Sequence, residues 1–170
     1  IPVVHIEAGV RSFNMKMPEE VNRILTDHIS KVRFCTSEES IRNLEFEGLN
    51  SSNYISGDLM YDVFLQYKDI ALNRKFLLDK VKSKEYILVT VHREENTKDA
   101  NRLYNILSAI SSLPYTFVLP IHPRTEKILR EQEIFNKLFL GRNILIIPPV
   151  SYIDMICLEL NAKIILTDSG

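Results

Sequence analysis

Short β-branched apolar runs alternate along this chain with longer stretches in which apolar residues recur every three or four positions. The runs predict buried strands over 3–6, 32–35, 54–55, 86–91, 116–119, 143–147 and 163–166. Between them the helical spacing takes over. Pro18 suits the first turn of a helix, with Glu19 and Glu20 near its positive end. Val21, Ile24, Leu25, His28 and Ile29 form its apolar stripe, which places His28 in the core. A capping box at Thr36-Ser-Glu-Glu39 opens a second helix that Gly48 stops. Further helices are expected over 60–68, 70–81, 100–113, 126–138 and 151–160. Strands alternating with helices predict an α/β fold with mostly parallel, doubly wound, Rossmann-like sheets. The longest interval without a strand lies between Gly57 and Ser83 and suits a domain junction. Residues 1–62 would then complete one Rossmann-like unit and residues 63–170 begin a second.

Two loops after strands cluster acids, bases and cations. The first is His5-Ile-Glu-Ala-Gly-Val-Arg-Ser12, followed closely by Pro18-Glu-Glu-Val-Asn-Arg23; the second is His92-Arg-Glu-Glu-Asn-Thr97. Open α/β sheets bind ligands beyond the carboxyl ends of their strands, so these loops read as one site divided along the sequence.

Composition narrows the function. Among 170 residues, 21 Lys and Arg balance 22 Asp and Glu, for a net charge of −1, which argues against a nucleic-acid surface or a polybasic membrane anchor. The greasiest stretch, 144–160, is broken by Pro148, Pro149, Ser151 and Asp154, so no bilayer span is expected. No charged leader precedes an apolar segment, so no secretory signal is visible. Cys35 and Cys157 lie far apart among apolar neighbours and read as buried thiols of a reducing cytoplasm. No His, Asp, Glu or Cys spacing suggests a metal. The chain opens inside a strand without Met and stops within Thr167-Asp-Ser-Gly170, so it is expected to be a piece of a longer protein.

The two clusters, together with Met17 and the Ile-Leu-Thr-Asp-His28 that extends the first, resemble the non-hydrolysing UDP-N-acetylglucosamine 2-epimerases. Gly57-Asp-Leu-Met-Tyr-Asp62, Pro120-Ile-His-Pro123 and Thr167-Asp-Ser-Gly170 fall in the same order as in that family. The resemblance covers the whole chain and implies the middle of a two-domain protein similar to the GT-B glycosyltransferases, with the sugar nucleotide in the interdomain cleft. It implies catalytic roles for Glu7, Glu19 and His92, and a substrate contact for Arg23. Pro149 to Met155, with Val150 and Met155, would frame the uracil. Ser169 and Gly170 would meet the diphosphate through backbone N–H groups at a helix start. His122 would match a position linked to regulatory binding of UDP-GlcNAc. No cofactor is implied, the partner is a UDP-sugar, and a homodimer is expected at full length. A further acidic residue belongs to an upstream Asp-Thr motif that this chain lacks, so the piece alone is expected to be inactive.

Plainer readings compete at each residue. Glu7 could pair with Arg11. Glu19 could be a helix-dipole residue, and Glu20 beside it is an equal candidate by spacing. His92 could cap a helix, Arg93 and Arg124 could be solvated charges, and Glu94 and Glu95 a solvated turn. The residues leave three function classes open. One is an epimerase acting on UDP-GlcNAc or on a UDP-diacetamido-uronic acid, another a glycosyltransferase of the same architecture, and the last a binding module without catalysis.

Overall fold

The computed structural model describes residues 1–74, 78–79, 81, 85–131 and 143–168, leaving aside the side chains of Glu94 and Arg124. Two compact units divide the chain, Ile1–Gln66 and Tyr67–Gly170. Ser169, Gly170 and parts of the helices expected over 70–81 and 126–138 lie outside the described residues.

The first unit runs β1 (Val4–Ala8), α1 (Pro18–Ile29), β2 (Val32–Cys35), α2 (Glu38–Phe46) and β3 (Asn53–Ile55). Its strands form one parallel sheet in the order β1-β2-β3. Between units the chain passes along α3 (Leu59–Leu72), which runs unbroken through Asp69 where the sequence suggested one helix ending at Lys68 and another starting at Ile70. No Gly or Pro stands between Lys68 and Ile70 to break it.

The second unit adds β4 (Ile87–Thr90), α4 (Glu94–Thr97), α5 (Ala100–Ser111), β5 (Phe117–Pro120), α6 (Pro123–Glu131), β6 (Ile144–Ile147), α7 (Tyr152–Asn161) and β7 (Ile164–Thr167). Its sheet is parallel throughout, ordered β6-β5-β4-β7. Strand β4 is buried on both faces, which is why it reads as an unbroken apolar run. Ile87, Val89 and Val91 pack with Phe117 and with Leu103, Leu107 and Ile110 of α5. Tyr86 and Leu88 pack on the other face with Val118, Ile147 and Leu158. The Tyr86 hydroxyl, buried there, donates to the Leu158 carbonyl at 2.6 Å.

The helix stops follow local chemistry. Gly48, at φ +84°, closes α2 with its N–H on the Glu45 carbonyl, while Leu49 N–H reaches the Leu44 carbonyl. That paired pattern needs a left-handed residue after the cap, hence Gly. The N-cap of α2 is Ser37, one residue later than the sequence suggested; its hydroxyl accepts the Ser40 N–H.

The first unit departs from expectation at α1. Its buried residues are Glu20 and Asp27, two turns apart on one face, while Leu25 and Ile29 are 58% and 68% exposed. His28, expected in the core, is exposed and bonds Glu47 at 2.9 Å. The apolar core of this unit is small, built on Ala8, Cys35 and Leu44. Charged groups therefore hold α1 to β1 and α2. Asp27 meets His5 Nδ1 at 2.6 Å and the Arg11 guanidinium at 2.7 Å, and Arg11 grips Glu47 through Nε and Nη2.

Gly9 shows how closely these parts fit. It has φ +77°, its N–H donates to Asp27 at 3.1 Å, and its carbonyl accepts from Asn43 of α2. A Cβ there would stand 2.2 Å from the Ser40 carbonyl oxygen, which is fixed backbone. Gly9→Ala is expected to destabilise the full-length protein by about 2–4 kcal/mol, combining left-handed strain with overpacking. Urea unfolding of the variant checks this as a lowered midpoint.

Candidate functional site

Parallel βα units deliver each loop to the carboxyl edge of its sheet, and the candidate residues fall there. In the first unit β1 carries Glu7 inside the strand rather than after it. The register with β2 jumps between Ile6 and Ala8, and Glu7 sits in the bulge at φ +71°. For a residue with a Cβ that conformation costs about 1–2 kcal/mol. Bulges of this kind re-aim a side chain. Glu7 is exposed and lines a cavity of about 60 Å³ with Ile6, Thr36, Gly57, Asp58, Leu59 and Met60, at the carboxyl ends of β1, β2 and β3.

The paired glutamates at the start of α1 have separate fates. Glu20 is 1% exposed and accepts the backbone N–H groups of Ser12, at 2.9 and 3.0 Å, and of Phe13, at 2.8 Å. It thereby pins the loop that holds Phe13 at φ +56°. Glu19 is exposed in the same turn. Arg23 is half-buried and lies 3.4 Å from Glu20, one turn away. Arg11, the simple structural partner for Glu7, is committed to Asp27 and Glu47 instead. Neither the Glu7 nor the Glu19 side chain makes a hydrogen bond or ion pair among the described residues, while the carboxylates of Glu20, Asp27 and Glu47 are fully engaged.

Burial works to raise the Glu20 carboxyl pKa, but the Ser12 and Phe13 donors and the Arg23 charge outweigh it and hold it below the ordinary range. Glu47 is lowered chiefly by its bond from Arg11, against burial. Groups depressed in the folded state stabilise it above their unfolded pKa, and that stability is lost as pH falls through the folded value. The full-length protein is expected to keep a constant urea midpoint near neutrality and to lose it steadily below about pH 5. Glu20→Gln should flatten that decline, which a pH series of urea curves measures.

In the second unit His92 comes after β4 and is exposed, with its backbone N–H held at 3.0 Å by Asp168. His122 comes after β5 and is exposed. Val150 lies beyond β6 and Met155 in α7; both are half-buried and pack against the Tyr86 and Leu88 face of the core. The segment expected as a solvated turn at Glu94 and Glu95 is the short helix α4. Within the first unit, then, Glu7, Glu19 and Arg23 belong to one carboxyl edge; within the second, His92, His122 and Val150 belong to another.

Two features were not anticipated from sequence. One is the buried network of Asp27, His5, Arg11 and Glu47. The other is Asp168 as the acceptor for the His92 loop. Asp168 stands in a motif that the sequence does mark, beside Ser169, but its residue type alone points to no partner.

A sequence model of the UDP-N-acetylglucosamine 2-epimerase family matches residues 1–170. The chain belongs to that family. A UDP-N-acetylglucosamine 2-epimerase homolog of Methanococcus maripaludis is 46% identical over 173 residues, covering 100% of this chain and 48% of the relative. The UDP-2,3-diacetamido-2,3-dideoxy-D-glucuronate 2-epimerase of Pseudomonas aeruginosa is 40% identical over 176 residues, covering 100% of this chain and 47% of the relative. The crystal structure of Methanocaldococcus jannaschii UDP-GlcNAc 2-epimerase, in complex with UDP-GlcNAc and UDP, superposes with a TM-score of 0.84 at 41% identity, over 100% of this chain and 49% of that one. The chain thus spans about half the length of the epimerases it matches. Its parallel α/β architecture, expected from the strand and helix alternation, is the GT-B-like fold of these epimerase structures. No helix of the described residues is long and apolar enough to cross a membrane.

Proposed function

We propose that the full-length protein inverts C2 of UDP-N-acetylglucosamine to give UDP-N-acetylmannosamine, for cell-surface polysaccharide synthesis in the cytoplasm, acting as a homodimer. The observation that carries this reading is the division of labour among the carboxylates of the first unit. Glu20, Asp27 and Glu47 are bound into the scaffold, whereas Glu7 and Glu19 are exposed, unpaired among the described residues and on one carboxyl edge. Glu19 also suits the positive end of α1, but the strained bulge that holds Glu7 at φ +71° at the mouth of a small cavity supports a functional rather than a structural role for that acid.

The chemistry needs such acids. The C2 hydrogen of the sugar has no carbonyl beside it and is not acidic. If the C1–O bond breaks, its electron pair leaves with UDP and positive charge grows at C1. A base then takes the C2 proton, leaving a C1–C2 double bond. Proton return to the opposite face, with UDP adding back at C1, completes the inversion. The site therefore needs proton-transfer groups on both faces and donors for the departing diphosphate. Glu7 and Glu19 supply the proton-transfer groups, Arg23 a substrate contact and His92 the diphosphate side, with Ser169 and Gly170 beyond it. Val150 and Met155 frame the base, and His122 is a regulatory contact. Glu7 and Glu19, both exposed, are equal candidates for the first abstraction.

Similarity to the P. aeruginosa enzyme favours one second reading, an epimerase for a UDP-diacetamido-uronic acid. Incubating the full-length protein with each substrate separately and following products by proton NMR decides between them. A UDP-N-acetylmannosamine signal without added acceptor supports the first reading; turnover of the uronic acid alone supports the second. Transfer that requires an acceptor would overturn both.

A further inference from the structure

Strands β4 and β7 lie side by side and end together, with Thr90 opposite Thr167. Their hydroxyls meet at 2.8 Å, and the Asp168 N–H reaches the Thr90 carbonyl at 3.3 Å. Asp168 then turns its carboxylate onto the loop after β4. One oxygen accepts the His92 N–H at 3.0 Å. The other accepts the Arg93 N–H at 3.1 Å and the Asn96 side-chain amide at 2.8 Å. Both oxygens are thus committed to the segment His92-Arg-Glu-Glu-Asn96. Burial alone would raise the Asp168 pKa, but these donors outweigh it and keep the group ionised.

A distant cap for the four-residue helix α4 would explain one or two of these bonds. It does not explain why the acceptor comes from the residue next to Ser169. A carboxylate beside residues read as meeting a diphosphate repels that anion unless its charge is engaged elsewhere. Here it is engaged, by three N–H donors of the loop that carries the imidazole.

We propose that Asp168 is a positioning residue that ties the His92 loop to the end of β7, so that binding of the UDP-sugar at this carboxyl edge and placement of the imidazole are one event. The coupling rests on the functional reading of Ser169, Gly170 and His92 as residues on the diphosphate side of a UDP-sugar. Asn96 completes the tie through its side-chain amide, which gives that residue of the loop motif a function of its own. Ligand binding at this edge stiffens the His92 loop through Asp168, and loosening the tie uncouples them.

The test uses the full-length protein with Asp168→Asn, Asn96→Ala and the double change. An amide in place of the carboxylate puts a donor against a backbone N–H and breaks the two-oxygen grip. In the wild type, UDP should slow backbone hydrogen exchange across residues 91–97, read by mass spectrometry. Asp168→Asn should abolish that protection, leave exchange in α5 unchanged and lower kcat about a hundredfold, the scale expected for a misplaced catalytic group. Asn96→Ala should move the same readouts less, and the double change should be no worse than Asp168→Asn, because both act through one tie. If Asp168→Asn does not fold, Asn96→Ala, which keeps the carboxylate and both backbone bonds, carries the test through the same UDP-induced protection. Wild-type protection of 91–97 in either folded variant, or losses that simply add, would overturn the proposal. If the wild type binds UDP but does not epimerise UDP-GlcNAc, the functional reading fails, and the exchange measurement still decides the tie.

Discussion

Glu7→Gln in the full-length protein is expected to lower kcat by about 10²–10⁴, the range for a lost proton-transfer group, with little change in melting temperature. Glu7 makes no bond that its removal would break, since it is exposed and unpaired among the described residues. Gln keeps the size of the side chain and the bulged backbone but removes the charge and the basicity. Glu19→Gln should behave alike, because Glu19 is likewise exposed and unpaired among those residues. Glu20→Gln is the control that separates chemistry from scaffold. It removes an acceptor for the Ser12 and Phe13 N–H groups, so stability and kcat should fall together. Steady-state kinetics beside thermal melts of the three variants distinguish these outcomes. A Glu7→Gln protein with unaltered kcat would remove Glu7 from the mechanism.

Asp27→Ala carries the largest expected loss of stability, about 3–5 kcal/mol, the scale for breaking a buried ion pair by removing one partner. Asp27 is fully buried and joins three parts of the first unit: His5 on β1, the Gly9 N–H and the Arg11 guanidinium. The Arg11 side chain is 1% exposed, so losing Asp27 leaves a buried cation with Glu47 as its one carboxylate partner among the described residues, beside the Val10 carbonyl. The small apolar core around Ala8, Cys35 and Leu44 has little with which to offset that loss. Chemical unfolding should show a lowered midpoint, with the loop from Gly9 to Phe13 opening first by hydrogen exchange. A variant as stable as the wild type would mean the network contributes no net stability.

The parts of the fold legible in the sequence are those that local chemistry dictates. Tyr86 to Val91 reads as a strand because both its faces are covered, and the structure covers them with α5 on one side and α7 on the other. Gly48 reads as a stop because the pattern closing α2 requires a left-handed residue. The inner face of α1 was not legible. Hydrophobic periodicity points to Leu25 and Ile29, yet Glu20 and Asp27 face inward. An acid is buried only when its partners are supplied, and here they come from residues far along the chain: His5, Gly9 and Arg11. Spacing along α1 cannot carry that information.

The site divides in the same way. Glu7 and His92 stand out in the sequence because strand ends mark where ligands sit, and both lie at such ends. Glu19 and Glu20 are equivalent by position in the helix, and only the path of the preceding loop separates them, by giving Glu20 its donors. Asp168 belongs to a visible motif, but its partners His92, Arg93 and Asn96 are more than seventy residues earlier, joined to it only by the pairing of β4 with β7.

Exposed acids of the first unit are proposed to move the C2 proton of a UDP-sugar, and the roles of Glu7 and Glu19 depend on that transfer. Incubation of the full-length protein with UDP-GlcNAc in deuterated water, followed by NMR at C2, tests it most directly. Deuterium should enter C2 of both epimers without any acceptor, and neither Glu7→Gln nor Glu19→Gln should approach the wild-type rate. Epimer formation with protium retained at C2, or full exchange in both variants, would contradict it.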